Sequence, residues 1–209
     1  MTLVFASANK NKVKEINEIL FDRTPLEKGG KTIQVVSMAD IGCHDDIPET
    51  TGTLKGNAIQ KATYLWYKYR VNCFSEDTGL EIDALNGEPG VDTAHYSGTR
   101  DADANIAKVL NRLTETERCS ENERRSVTEQ RSAQFKTIIA LILDGELHVF
   151  EGICKGTIRH EKSAGTEGFG YDPIFEPEGY DKTFAELASS VKSQISHRGR
   201  AMQQLIAFL

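Results

Sequence analysis

Four short polar clusters interrupt the apolar pattern of this 209-residue chain, each where a predicted strand gives way to a loop or helix. That edge is where open α/β sheets bind ligands. The first cluster, Ser7-Ala8-Asn9-Lys10-Asn11-Lys12, follows a predicted strand and opens a predicted helix. Free N–H groups at a helix start favour an anion, and Lys10 and Lys12 add positive charge. The segment lacks GxxxxGK[ST], which excludes a Walker A loop. Ser7 or Asn9 serves equally well as a plain helix cap. The second cluster is Glu76-Asp77-Thr78-Gly79 at a predicted strand end, with Glu49 upstream in Pro48-Glu49-Thr50-Thr51-Gly52. Carboxylates leaving a strand together suit Mg²⁺, which takes hard oxygen ligands and keeps several waters. One of them can also deprotonate a water. The alternative is a turn whose acids face solvent, and Asp83 reads as a surface residue.

The third cluster is Gly165-Thr166-Glu167-Gly168-Phe169-Gly170-Tyr171-Asp172-Pro173. Its glycines admit close backbone approach to a ligand, and Phe169 and Tyr171 offer rings for stacking on a base. A wide turn is the plainer reading, although it does not need two aromatics between glycines. The fourth, Lys192-Ser193-Gln194-Ile195-Ser196-His197-Arg198-Gly199-Arg200, holds Lys192, His197, Arg198 and Arg200 with no acid. Ser196 caps a predicted final helix there, leaving His197 and Arg198 at its positive end, where they suit phosphate or a carbonyl-bearing base. Ordinary solvated charge at a helix start is the alternative. His44, His148 and His160 show no metal spacing.

The elements that must position these clusters alternate. Leu3 to Ala6 and Ile33 to Val36 read as strands, and Val13, Ile16, Ile19 and Leu20 recur at helical spacing. Thr53 to Tyr69 reads as a helix with Leu54, Ala58, Ala62 and Leu65 on one face; Asn57 and Lys61 fall on a different, polar face. Val71 to Ser75 is strand-like, and Leu80 to Leu85 alternates as a further strand. Asp101 to Leu113 is helical, and Gln134 to Leu143 and Glu146 to Phe150 flank Asp144-Gly145 as a hairpin. Arg198 to Leu209 is a last helix. Strands alternate with helices but one hairpin is antiparallel, so the expected class is α/β with a mixed sheet.

Composition narrows the function. The chain carries 25 Lys and Arg against 31 Asp and Glu, a net charge of −6, with 39% hydrophobic residues. That balance argues against a general nucleic-acid or membrane-surface binder. Four cysteines without a CxxC pair argue against a zinc framework or dithiol motif, and Cys73 and Cys154 read as buried strand thiols. The longest apolar run, Ile138 to Leu143, is far short of the ~18 residues of a membrane span. The first residues show no charged leader, so a signal peptide is not expected and a cytoplasmic location is. Two basic anion sites, a carboxylate pair and a Gly-aromatic loop together describe a nucleotide polyphosphate enzyme without a P-loop.

The chain resembles the inosine triphosphate pyrophosphatase family, noncanonical purine nucleoside triphosphate pyrophosphatases that cleanse nucleotide pools. The resemblance rests on Ser7-x-Asn9-x-x-Lys12, Asn57-Ala58-x-x-Lys61-Ala62, Glu76-Asp77-Thr78-Gly79-Leu80 and Pro89-Gly90-Val91, then Gly168 to Pro173 and Lys192-Ser193-x-Ile195-Ser196-His197-Arg198. These segments keep the family's order over nearly the whole chain. The resemblance implies hydrolysis of ITP, dITP and XTP to the monophosphate and pyrophosphate, with Mg²⁺, by a homodimer. It implies one domain over 1–209 and an elongated mixed sheet with flanking helices, in two lobes around a central substrate cleft. Asp77 then matches the proton acceptor and metal-binding carboxylate, and Glu49 the other metal ligand. Ser7, Ala8, Asn9, Lys10, Asn11, Lys12 and Lys61 match triphosphate contacts, and Thr78 follows the catalytic Asp into the substrate site. Phe169, Gly170, Tyr171, Asp172, Lys192, His197 and Arg198 match residues that hold the base and nearby phosphate.

Three departures stand out. Glu76-Asp77 replaces a common Asp-Asp pair with Thr78 for Ser, His95 stands where Arg is usual, and the charged stretch around 115–131 reads as a surface insertion. Two other activities remain to be separated by experiment: a pyrophosphatase for modified pyrimidine nucleotides, and a noncatalytic nucleotide sensor.

Overall fold

The computed structural model describes residues 1–21, 26–28, 31–119 and 131–209, so most of the charged stretch around 115–131 lies outside the described residues. The strands are β1 (Thr2–Phe5), β2 (Leu26–Lys28), β3 (Lys31–Ser37), β4 (Cys73–Ile82), β5 (Pro89–Gly90), β6 (Ser132–Leu143), β7 (Glu146–Ile158) and β8 (Phe175–Pro177). The helices are α1 (Lys10–Phe21), α2 (Leu54–Tyr69), α3 (Ala102–Cys119), α4 (Ser189–Ile195) and α5 (His197–Phe208). The sheet runs β2-β3-β1-β4-β6-β7-β8, with β5 added to β4. Its parallel part pairs β1 with β3, Thr2 opposite Gln34, and with β4, Val4 opposite Cys73. The β4–β5 and β7–β8 pairs are antiparallel, so the sheet is mixed, as expected.

The chain divides into two compact units: 1–77, 137–152 and 193–209 form the first, and 78–136 with 153–192 the second. In the first, Leu3, Val4 and Phe5 are all buried, which is how a parallel strand covered on both faces reads. Ile16, Ile19 and Leu20 of α1 and Ala201, Met202 and Leu205 of α5 pack with Phe5, Phe74, Ile139 and Leu141 into one core. The rings of Phe5 and Phe74 stack 4.9 Å apart across the parallel pair. In the second unit, α3 buries Ile106, Val109 and Leu113, and Phe175 meets Phe135 at 4.7 Å and Phe184 at 5.1 Å.

The Asp144-Gly145 turn has φ of 51° and 91°, the two positive values a tight β-hairpin turn requires. Three expectations change. The strands expected at Val71–Ser75 and Leu80–Leu85 merge into one strand, β4, which runs through Glu76-Asp77-Thr78-Gly79 instead of turning there and ends at Ile82, with Asp83–Leu85 a 3-10 turn. Lying between β1 and β6, β4 is buried along most of its length, so its charged residues do not mark an exit to solvent. Helix α3 continues past Leu113, and α4 precedes the last helix as a separate short element. Among the described residues no helix is long and apolar enough to cross a membrane.

Candidate active site

Neighbouring side chains on a strand point to opposite faces. Glu76 and Asp77, adjacent on β4, accordingly enter different surroundings. Asp77 faces α2. Its Oδ2 accepts from Asn57 Nδ2 at 3.2 Å, and its Oδ1 pairs with Lys61 Nζ at 3.3 Å. Asn57 and Lys61 stand one helical turn apart, so α2 presents an amide and an ammonium to the two oxygens of one carboxylate. Lys61 also holds Glu49, from the segment that enters α2. The polar face expected of α2 is therefore buried: Asn57 and Lys61 are 4% and 6% exposed. Burial pushes the Asp77 carboxyl above its ordinary value; Lys61, Lys12 and Asn57 oppose that shift, and Glu49 adds to it.

Glu76 faces α1 and α5. Arg198 grips it with Nε at 2.8 Å and Nη2 at 3.1 Å, and Lys12 Nζ lies 3.1 Å away. Arg198 also bonds Glu15 of α1 through Nη1. Burial works against the Glu76 charge, but Arg198 and Lys12 overcome it and hold the carboxyl well below the usual carboxylate range. Adjacent acids thus have opposite shifts. Such divergence sorts paired acids into a proton acceptor and a fixed charge.

The remaining first-cluster residues sit around the start of α1. Asn9 Oδ1 accepts from the N–H groups of Asn11 at 3.0 Å and Lys12 at 3.3 Å, which makes Asn9 the cap. Ser7 Oγ accepts from the Asn9 N–H at 3.2 Å. Ala8, Lys10 and Asn11 are exposed. Ser196 caps α5 as expected, accepting from the Gly199 N–H at 3.1 Å, and places His197 and Arg198 in its first turn, both buried.

The second unit assembles the Gly-aromatic loop. Asp172 Oδ2 accepts from Lys192 Nζ at 2.6 Å and from the Phe169 N–H at 2.7 Å. Lys192 Nζ also lies 5.6 Å from the Phe169 ring centre. Gly168, at φ +74°, makes this possible, since a Cβ there would meet Asp172 Oδ2 at 2.0 Å. Tyr171 is buried, with its hydroxyl donating to the Thr93 carbonyl at 3.1 Å. The half-buried ring of this loop is Phe169. Thr78 and Gly170 are half-buried.

Two participants escaped the sequence reading. Asn57 was part of a motif but held no role, although its place one turn before Lys61 was the available signal. Glu15 belongs to none of the motifs; its partner, Arg198, is 183 residues away.

Among the described residues no group of three or more His, Cys, Asp and Glu could hold a metal. Glu49 and Asp77 nevertheless send oxygens to the same Lys61 nitrogen, so two hard donors converge on one positive centre. Mg²⁺ is commonly bound by one or two carboxylates, with waters and substrate phosphates completing its shell, and this pair fits that requirement.

Fold and charge arrangement define an α/β protein with a mixed sheet in which buried carboxylates are paired with lysine and arginine. The chain belongs to the Ham1 family, whose sequence pattern matches residues 3–208. It is 51% identical to a dITP/XTP pyrophosphatase of Flavobacterium johnsoniae, over 100% of this chain and 98% of the relative. The structure of the Staphylococcus aureus Ham1 protein superimposes with a TM-score of 0.79 at 36% identity, covering 100% of this chain and 97% of that one. A HAM1 protein from Coxiella burnetii gives 0.82 at 33% identity, covering 100% and 98%. These likenesses agree with the family read from the motifs.

Proposed function

We propose that this chain is a nucleoside-triphosphate pyrophosphatase that hydrolyses dITP, XTP and ITP to the monophosphate and pyrophosphate. The observation that carries the reading is Asp77: a buried carboxylate of raised proton affinity, oriented through both oxygens and set beside a second acid and a lysine. A carboxylate of raised pKa is a stronger base than a solvated one, and it takes a proton from the water that attacks the α-phosphorus. Lys61 and Lys12 place positive charge beside it, where triphosphate charge shifts onto the departing pyrophosphate. Glu49 and Asp77 would hold Mg²⁺, which when bound neutralises phosphate charge and orients the chain of phosphates.

Hypoxanthine and xanthine carry an oxygen at position 6 where adenine carries an NH₂ donor. A buried donor pairs with the former and is left unpaired by the latter, at a cost of about 1–3 kcal/mol per group. Arg198, held by Glu76 and Glu15, and His197 beside it in the first turn of α5 are the buried donors that would read this oxygen. The same reading makes the protein a cytoplasmic homodimer, because it acts on the free nucleotide pool and its family forms dimers.

Purified protein with Mg²⁺ should release pyrophosphate from dITP and XTP faster than from ATP or GTP by on the order of 10²-fold or more. Equal rates on all four would remove the specificity. Faster release from dUTP or 5-substituted pyrimidine triphosphates would favour the pyrimidine reading, and tight binding without pyrophosphate would favour a sensor.

A further inference from the structure

Glu49 sits on a stretch with no regular structure, residues 43–50, that connects β3 to α2. Such a stretch places a carboxylate accurately only if it is fastened down, and it is fastened to α2 at both ends. Upstream of Glu49, Asp45 Oδ2 accepts from Lys68 Nζ at 2.6 Å and from the Tyr64 hydroxyl at 3.0 Å. Immediately downstream, the Thr50 N–H donates to Gln60 Oε1 at 2.9 Å. The Thr51 N–H and hydroxyl then both donate to Asn57 Oδ1, at 3.1 Å and 2.9 Å. Gly56 makes this seat available, because a Cβ there would lie 2.2 Å from Thr51 Oγ1.

The other end of the same amide donates to Asp77, at 3.2 Å from Oδ2. A backbone N–H can only donate, so Thr51 fixes which end of Asn57 is its oxygen and thereby turns the NH₂ toward Asp77. Only an uncharged side chain with both an acceptor and a donor can do this; a carboxylate would place a further negative charge against Asp77. We infer that Asn57 is a positioning residue, its amide tying the Glu49-bearing segment to the Asp77 carboxylate and so holding the two acids in one arrangement. The inference rests on reading Glu49 and Asp77 as the metal-binding pair, and it adds a residue that acts through them.

The test measures Mn²⁺ binding to the full-length protein without nucleotide, by calorimetry or electron paramagnetic resonance, alongside kcat and KM for dITP. Groups that orient metal ligands are typically worth about 10–100-fold in metal affinity or activity. Asn57→Ala should lose that much in Mn²⁺ affinity and in kcat, with KM changed by less than about threefold. Thr51→Val keeps the Asp77 bond and removes one of the two bonds to the segment; it should shift both quantities the same way by a smaller factor. Because Thr51 is exposed, this variant carries the test alone if Asn57→Ala does not fold. Mn²⁺ affinity and kcat both within about twofold of the parent in the folded variants would overturn the inference. A parent that binds no Mn²⁺ would overturn it as well, since no assembled acid pair would exist. A parent that binds Mn²⁺ but turns over no purine triphosphate refutes the functional reading instead, and the affinity comparison then still decides the role of Asn57.

Discussion

Two adjacent carboxylates on one strand make opposite contributions to this protein, and the sign of each can be worked out. Glu76 has a depressed pKa in the fold, so its charge stabilises. That contribution is complete above the ordinary glutamate value and is lost as pH falls through the lower, folded one. Asp77 has a raised pKa, so its stabilising form is the protonated one, and that contribution is lost as pH rises through the folded value. Once ionised, Asp77 is therefore held charged at the expense of the fold. In chelator at neutral pH, Asp77→Asn should melt at or above the parent temperature while losing turnover. Glu76→Gln should melt well below it, because breaking a buried ion pair leaves Arg198 under-compensated and costs about 3–5 kcal/mol. Thermal unfolding of both variants checks the pair of signs, and an Asp77→Asn protein that melts several degrees lower would show the charge supporting the fold.

At the scale of elements, the parts legible in advance were those whose signal is local. The strand at Ile33–Val36, the helix beginning at the Thr53 cap, the Asp144-Gly145 turn and the Ser196 cap all depend on residues within a few positions of one another. What escaped depends on partners distant in sequence. Glu76-Asp77-Thr78-Gly79 resembles a turn because two acids and a glycine are poor strand formers. It stays extended because Arg198, 122 residues away, takes up one charge and α2 takes up the other. The burial of Asn57 and Lys61 was hidden for the same reason. Thus motifs could single out candidate residues, but not how those residues pair. Ser196 offers a test of a local signal feeding the distant one, since it caps the helix whose first turn carries Arg198. Ser196→Ala should cost about 1 kcal/mol, lowering the melting temperature by roughly 2–4 °C in a chain of this size. Ser196→Thr should recover most of it, and an unchanged melting temperature in Ser196→Ala would show that the cap contributes nothing.

For the whole molecule, the net charge of −6 conceals how the basic residues are used. Four of those that the motifs singled out have acidic partners inside the fold, while Lys10 is exposed: Lys12 with Glu76, Lys61 with Glu49 and Asp77, Lys192 with Asp172, and Arg198 with Glu76 and Glu15. Lys61, Lys192 and Arg198 are each almost fully buried as well. A polyanion such as DNA binds by neutralising its phosphates against a broad exposed cationic surface and releasing counterions. Buried, internally paired cations cannot be presented that way, whereas a single nucleoside triphosphate is small enough to come to them. Turnover of dITP should therefore remain within about twofold when excess duplex DNA is added at about 50 mM salt, the condition most favourable to nonspecific binding. Inhibition by DNA that fades as salt is raised would reveal an exposed basic face and contradict the charge pairing as the reason for selectivity. Free pyrophosphate, which has the charge density of the substrate's own phosphates without the length of a polymer, should inhibit where DNA does not.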